Sequence, residues 1–141
     1  MTQFMLQVSI ITPAKKVLEA EAESVTLPSV DGEITILPHH DKLLTMLEEG
    51  IITIRKAKGD EDTLAIGGGY AQTNGSEISI LVSRAYGQDE IDEKLTQEAL
   101  QKAQKIMSES ADEKERVDAA SIMRRSLVDI KLLEKIRKHR K

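Results

Sequence analysis

The 141-residue chain contains no cysteine and no tryptophan, and its aromatic side chains are two tyrosines and one phenylalanine. Without cysteine there is no disulfide, no thiolate metal site and no cysteine nucleophile, a composition that fits a reducing compartment. With aromatics at 2% of residues, the core has to be assembled from Ile, Leu, Val, Met and Ala, and platforms for stacking single-stranded bases are scarce. No run approaches the roughly 18 to 20 apolar residues of a bilayer-spanning helix. The start, MTQFMLQVSIITPAKK, has no basic stretch ahead of its apolar one, so a signal peptide is not expected and a soluble protein is. Glycine and proline do not occur after Gly87, so nothing there breaks a helix.

What the chain does have is charge, 31% of residues, unevenly placed. Residues 1–88 carry a net −5, residues 89–115 again −5, and residues 116–141 a net +6. A basic tail on an acidic body implies internal pairing or a partner of opposite sign.

Up to about Gln88 apolar residues recur with a period of two. Phe4–Ile11 is apolar and β-rich and is stopped by Pro13; Val25 and Leu27 alternate with polar neighbours; Ile34 and Ile36 do the same before Pro38. Two further strands flank Lys58-Gly59-Asp60, and two more flank Asn74-Gly75, whose residues both tolerate positive φ and favour a tight hairpin. This spacing predicts an antiparallel β-sandwich or flattened barrel over residues 1–87. From Gly87 the period changes. Ile91, Leu95, Ala99, Ala103 and Met107 step by four, Ser110 and Glu113 predict a capping box, and Ala120, Met123, Leu127, Ile130 and Leu133 step by three and four. The fold class is therefore α+β, with an antiparallel two-helix hairpin over residues 88–141. Its acidic first helix and basic second helix attract along their length, each exposed pair contributing about 0–1 kcal/mol.

Few residues offer chemistry. His39, His40 and Asp41 fall together in GEITILPHHDKLL, but adjacent histidines do not converge readily on one ion and the remaining histidine is His139, so an exposed loop is the reading of the residues. Gly67-Gly68-Gly69 lacks dinucleotide-loop spacing and does not lead into a helix; a bulge or a close backbone approach accounts for it. No histidine is placed to serve a serine nucleophile. The basic tail reads as a solvated helix face, as a match for an acidic protein surface, or as a nucleic-acid contact, the last disfavoured by the scarcity of aromatics. An interaction module without a catalytic constellation remains.

The order DGEITILPHHDKLLTMLEEGIITI, AIGGGYAQTNGSEISILVSRA and EID opening a helix resembles the epsilon subunit of F-type ATP synthases, called delta in mitochondria, over essentially the whole chain. Gly32, Glu33, Pro38, His40, Leu43, Leu44, Thr45, Leu47 and Gly50 match that family's pattern, while Thr35 and His39 stand where it has glycine and Asp41-Lys42 where it commonly has Ala-Pro. The resemblance implies a non-catalytic rotor subunit coupling the gamma subunit to the ring of c subunits. Glu33, Pro38, His39, His40 and Asp41 would then be docking residues toward gamma and the c-ring. It further implies a helical tail that folds beside the β domain or extends into the catalytic head and restrains ATP hydrolysis. Arg116, Arg124, Arg125, Lys131, Lys135 and Arg137 are then candidates to meet acidic segments of the beta and alpha subunits there. Some relatives bind ATP where an Ile-Asp pair is followed by Arg and Ala; Ile91 and Asp92 are kept here, but Leu95 and Thr96 replace the other two, so neither ATP nor another cofactor is expected. The implied location is the cytoplasmic face of a bacterial inner membrane, held through partners. A stand-alone β-sandwich adaptor or nucleic-acid-binding module is the alternative.

Overall fold

Strands form where a two-residue alternation lets one face turn inward and the other stay polar. The computed structural model describes residues 5–139; Phe4, read as the first strand residue, and the basic terminal pair Arg140 and Lys141 lie outside the described residues. The chain divides between Tyr86 and Gly87 into a β unit and a helical unit.

The β unit comprises β1 (Leu6–Ile11), β2 (Lys16–Ala22), β3 (Ser24–Ser29), β4 (Gly32–Ile36), β5 (Leu43–Leu47), β6 (Gly50–Arg55), β7 (Glu61–Ile66), β8 (Gly69–Thr73), β9 (Glu77–Val82) and β10 (Ala85–Tyr86). They form one sheet in the order β10-β7-β6-β3-β5-β8-β9-β1-β2, with β4 also paired to β3, folded over as a sandwich close to a closed barrel. β3 makes the corner. Its residues 25–29 bond β4, while residues 24–26 bond β6 and Ser29 reaches β5. Every pairing is antiparallel except that of β1 with β9, where Val8 lies opposite Ile78 and Ile10 opposite Ile80 in parallel. This departs from the expected all-antiparallel sheet because a tight turn imposes antiparallel pairing only on consecutive strands. β1 and β9 are joined through the rest of the domain, which leaves their relative direction free.

Leu6, Val8, Ile10, Ala22, Val25, Leu27, Ile36, Ile52, Ile54, Ile66, Ile78 and Ile80 are the fully enclosed part of the core. No aromatic side chain belongs to that cluster among the described residues, although Tyr86 of β10 is itself buried. The Asn74-Gly75 hairpin forms, but with Thr73 paired to Ile78 across a four-residue loop. Gly75 alone takes up positive φ there, at 101°.

The helical unit opens with a short 3-10 turn, Gln88–Glu90, followed by α1 (Glu93–Glu109) and α2 (Glu113–His139). Asp92 caps α1, its Oδ1 accepting the Leu95 N–H at 3.0 Å. The cap of α2 is Asp112, whose Oδ1 accepts from Lys114 and Glu115 N–H; Ser110, the expected cap, instead ends α1 and donates its hydroxyl to Glu115. A linker of three residues between the helices makes them antiparallel. The buried residues are Leu100 and Ala103 on α1 and Ala119, Ser126, Asp129 and Leu132 on α2. Leu95 and Leu127, expected in the apolar stripes, are 62% and 50% exposed. A strict four-residue step drifts around a helix of 3.6 residues per turn, and on α2 the buried face turns toward Ser126, leaving Leu127 outside it.

Candidate functional site

The LPHHD loop is shaped by its proline. His40 N–H donates to the Leu37 carbonyl at 3.1 Å, which closes a turn with Pro38 second and His39 third. His39 adopts φ 67°, the pattern of a type II turn, whose third position favours glycine. A glycine at position 39 would adopt this backbone without strain. The loop is seated on the β8–β9 hairpin: His39 N–H donates to the Gly75 carbonyl at 2.7 Å, and a Cβ on Gly75 would lie 3.2 Å from the His40 carbonyl oxygen. His40 Nδ1 lies 2.8 Å from the Asp41 carbonyl oxygen, an acceptor only, so that nitrogen carries the proton. Both histidines are thus engaged with main chain. Asp41 is exposed.

Glu33 is not part of this loop. It sits opposite Pro28 near the start of β4, about 13 Å of extended strand from Leu37, beside the turn that carries Val30. Pro38, His39, His40 and Asp41 are brought together; Glu33 marks the other end.

That other end carries a feature spread across four strands. Met46 of β5 lies opposite Tyr70 of β8, Tyr70 opposite Leu81 of β9, and Leu81 opposite Ile11 of β1. The four form an apolar belt across the outer face, with Met46 58% and Tyr70 40% exposed. Val30, also exposed, donates its N–H to the Met46 carbonyl. Ile11, Thr12, Pro13, Gly68, Tyr70 and Leu81 line a shallow groove along it. Leu44 of β5, opposite Gln72 and 65% exposed, extends the apolar surface beside Met46; beyond it the next row is polar, Gln72, Ser79, Ser9 and Glu19 following one another in the same cross-strand order. The glycines hold the belt strands close. A Cβ on Gly69 would stand 2.0 Å from the Leu81 carbonyl oxygen, and one on Gly67 2.1 Å from Ser83 Oγ. The close backbone approach expected of this run is met at Gly69; Gly67 is crowded by the side chains of Ser83 and Arg84, and Gly68 has ordinary clearance, 3.5 Å to the Leu47 carbonyl oxygen.

The six basic candidates on α2 separate by what they touch. Arg116 donates to the carbonyls of Met107 and Ser110 and so covers the open end of α1. Arg137 pairs with Glu93, which holds its guanidinium pKa above the ordinary value through a hydrogen bond and then through charge. These two tie the hairpin together. Arg124, Lys131 and Lys135 recur at steps of seven and four and share one helix face, with exposed Val117 and Leu127 on or beside it; Arg125 is exposed on another. On α1, Asp92 is committed to its capping bond and Leu95 points no charge at Ile91 or its surroundings. Among the described residues no group of three or more His, Asp or Glu is placed to hold a metal ion. No described helix is long and apolar enough to cross a membrane.

Sequence reasoning missed the belt. Its members are separated by up to 70 positions, from Ile11 to Leu81, and the one local sign was that LLTML is apolar on both faces of its strand.

Residues 5–88 match the family described as the ATP synthase Delta/Epsilon chain, beta-sandwich domain. Among similar proteins, the ATP synthase epsilon chain of a Synechococcus strain is 36% identical over 81% of this chain and 82% of its own. That of Gloeothece citriformis is 38% identical over 86% and 89%, and that of Moorella thermoacetica 32% over 89% and 94%. A chain in the structure of the Euglena gracilis mitochondrial ATP synthase OSCP/F1/c-ring superposes with a TM-score of 0.82 over 92% of this chain and 81% of its own, at 22% identity, which is a likeness of fold.

Proposed function

Because the chain belongs to the ATP synthase delta/epsilon family, as an epsilon chain and thus a non-catalytic subunit, we propose that it works in the central stalk, where it joins gamma to the c-ring and restrains ATP hydrolysis through its helices. The observation that carries this reading is the apolar belt of Met46, Tyr70, Leu81 and Ile11. An apolar strip crossing four strands, widened on β5 by exposed Leu44 and bordered by polar residues, is the anatomy of the core of a protein interface, rimmed by groups that stay wet. Gamma is the proposed cover. Glu33 and the 37–41 loop stand at opposite ends of β4, too far apart for one small contact, which suits two partners, gamma and the c-ring.

The helices contribute a second surface. Arg124, Lys131 and Lys135 with Val117 and Leu127 make a basic stripe with apolar members, suited to an acidic helical segment of the beta or alpha subunits better than to a nucleic-acid backbone. Arg116 and Arg137 have a different part in this reading: they hold the hairpin closed and become available only when it opens. In this reading the chain sits at the cytoplasmic face of a bacterial membrane, as a peripheral member of the complex.

The test is ATP hydrolysis by the cognate catalytic complex stripped of this subunit, with the full chain or a chain truncated after Gln88 added back. Both are expected to bind and the full chain alone to suppress turnover. Binding of both without inhibition leaves a coupling clamp with no inhibitory arm. Failure of both to bind overturns the stalk assignment.

A further inference from the structure

We propose that the Asn74-Gly75 hairpin is the seat of the 37–41 loop and also a site of spontaneous deamidation, with the Thr73 hydroxyl as its brake. The loop hangs on the bond from His39 N–H to the Gly75 carbonyl at 2.7 Å. Gly75 is required there by its φ of 101° and by the 3.2 Å clearance to the His40 carbonyl oxygen. Asn74 is exposed. An asparagine followed by glycine is the pair in which main-chain attack meets least hindrance, since no Cβ shields the nucleophilic nitrogen.

The reaction needs only water and hydroxide. The Gly75 nitrogen gives its proton to hydroxide and attacks Asn74 Cγ. The bond from Cγ to the side-chain nitrogen breaks, and ammonia leaves after taking a proton from water, closing a five-membered succinimide. Water then opens the ring. Addition at Cγ gives aspartate; addition at the former main-chain carbonyl breaks the original peptide bond and gives isoaspartate, with the chain running through Cβ.

Three hydrogen bonds govern the first step. The Gly75 N–H donates to Thr73 Oγ1 at 3.1 Å within a buried environment, so its proton must leave a satisfied donor. Thr73 Oγ1 is held in place because its own proton goes to the Glu77 carbonyl at 2.9 Å. Asn74 Oδ1 accepts from Glu77 N–H at 2.9 Å, which fixes the amide that would be attacked.

The two products differ in what they preserve. Asn74 Oδ1 also accepts from the Ser76 N–H and hydroxyl, and an aspartate oxygen accepts the same three bonds. Isoaspartate inserts a methylene into the main chain ahead of Gly75 and carries the carbonyl that holds His39 out of place.

The experiment uses the full-length chain as wild type, Thr73→Val and Thr73→Ser, each aged at mildly alkaline pH in native buffer and in urea, with aspartate and isoaspartate counted by peptide mapping and mass spectrometry. Native wild type should deamidate more slowly than in urea. Thr73→Val should deamidate about fivefold faster than wild type in native buffer, the factor one net hydrogen bond supplies, while Thr73→Ser stays at the wild-type rate and all three agree in urea. Equal native rates for Thr73→Val and wild type overturn the brake. Should Thr73→Val lose its fold by circular dichroism, the wild-type comparison decides alone, and equal rates in native buffer and urea overturn it. Amide spectra of the aged isoaspartate form should show His39 and His40 displaced, with Asn74→Asp leaving them in place; an unmoved His39 amide in the isoaspartate form overturns the seat. None of these readouts depends on which partner covers the loop.

Discussion

Replacing Met46 by serine should loosen the partner that covers the belt much more than it loosens the fold. Met46 is 58% exposed in the free chain, and complete burial of a methionine side chain is worth about 1.5–3 kcal/mol. Just over half of that is left for an interface to realise, about 0.9–1.7 kcal/mol, which raises Kd roughly four- to sixteenfold at about 1.4 kcal/mol per decade. The share already realised within the sheet, about 0.6–1.3 kcal/mol, should appear separately as a lower urea midpoint. The assay is calorimetric titration of the full-length variant into the complex stripped of this subunit. Gln72→Ala, exposed on the same face one row from the belt, is the control and should change Kd by less than about threefold. Wild-type binding by Met46→Ser, or an equal loss with Gln72→Ala, would refute the claim that the belt is the energetic centre of the contact.

Gly69→Ala places a Cβ 2.0 Å from the Leu81 carbonyl oxygen, against main chain that cannot swing aside; it should cost more than about 4 kcal/mol in urea unfolding, whereas Gly68→Ala should stay within about 0.5 kcal/mol. His39→Gly should stabilise the chain by about 0.5–1 kcal/mol, since left-handed backbone costs an L residue about 1–2 kcal/mol and glycine returns about half of that in unfolded-state freedom; urea midpoints of the two chains measure it. Lys131→Glu, in the full chain, should raise the concentration needed for half-inhibition of hydrolysis roughly two- to fivefold, more at low salt, while assembly into the complex, followed by size-exclusion chromatography, is unchanged.

The resemblance covered the family, and the residues themselves conveyed the rest of the plan wherever the signal was local. Val25 and Leu27, or Ile34 and Ile36, alternate within a few residues, and a strand needs nothing more to show which side faces in. The change to a helical period after Gly87 is local too, as is the Asn74-Gly75 turn. Errors entered where neighbouring side chains compete for one role. Ser110 and Asp112 both suit a cap, and the linker's path gave α2 to Asp112. Leu127 fits an apolar stripe as well as its neighbours do, until the partner helix selects the face centred on Ser126.

By itself, then, the sequence determined an Ile- and Leu-built β domain, a helical tail of opposite charge halves, and the glycines at Gly69 and Gly75 that close backbone approach and positive φ demand. Only the tertiary structure decided that β1 runs parallel to β9, that Ile11, Met46, Tyr70 and Leu81 form one belt, that Glu33 stands apart from the histidine loop, and that Arg116 and Arg137 serve the hairpin. Periodicity reports which face of an element is buried, through contacts a few residues apart. Which faces then meet depends on register between strands distant in the chain, and a one-residue slip would turn each belt side chain to the opposite face.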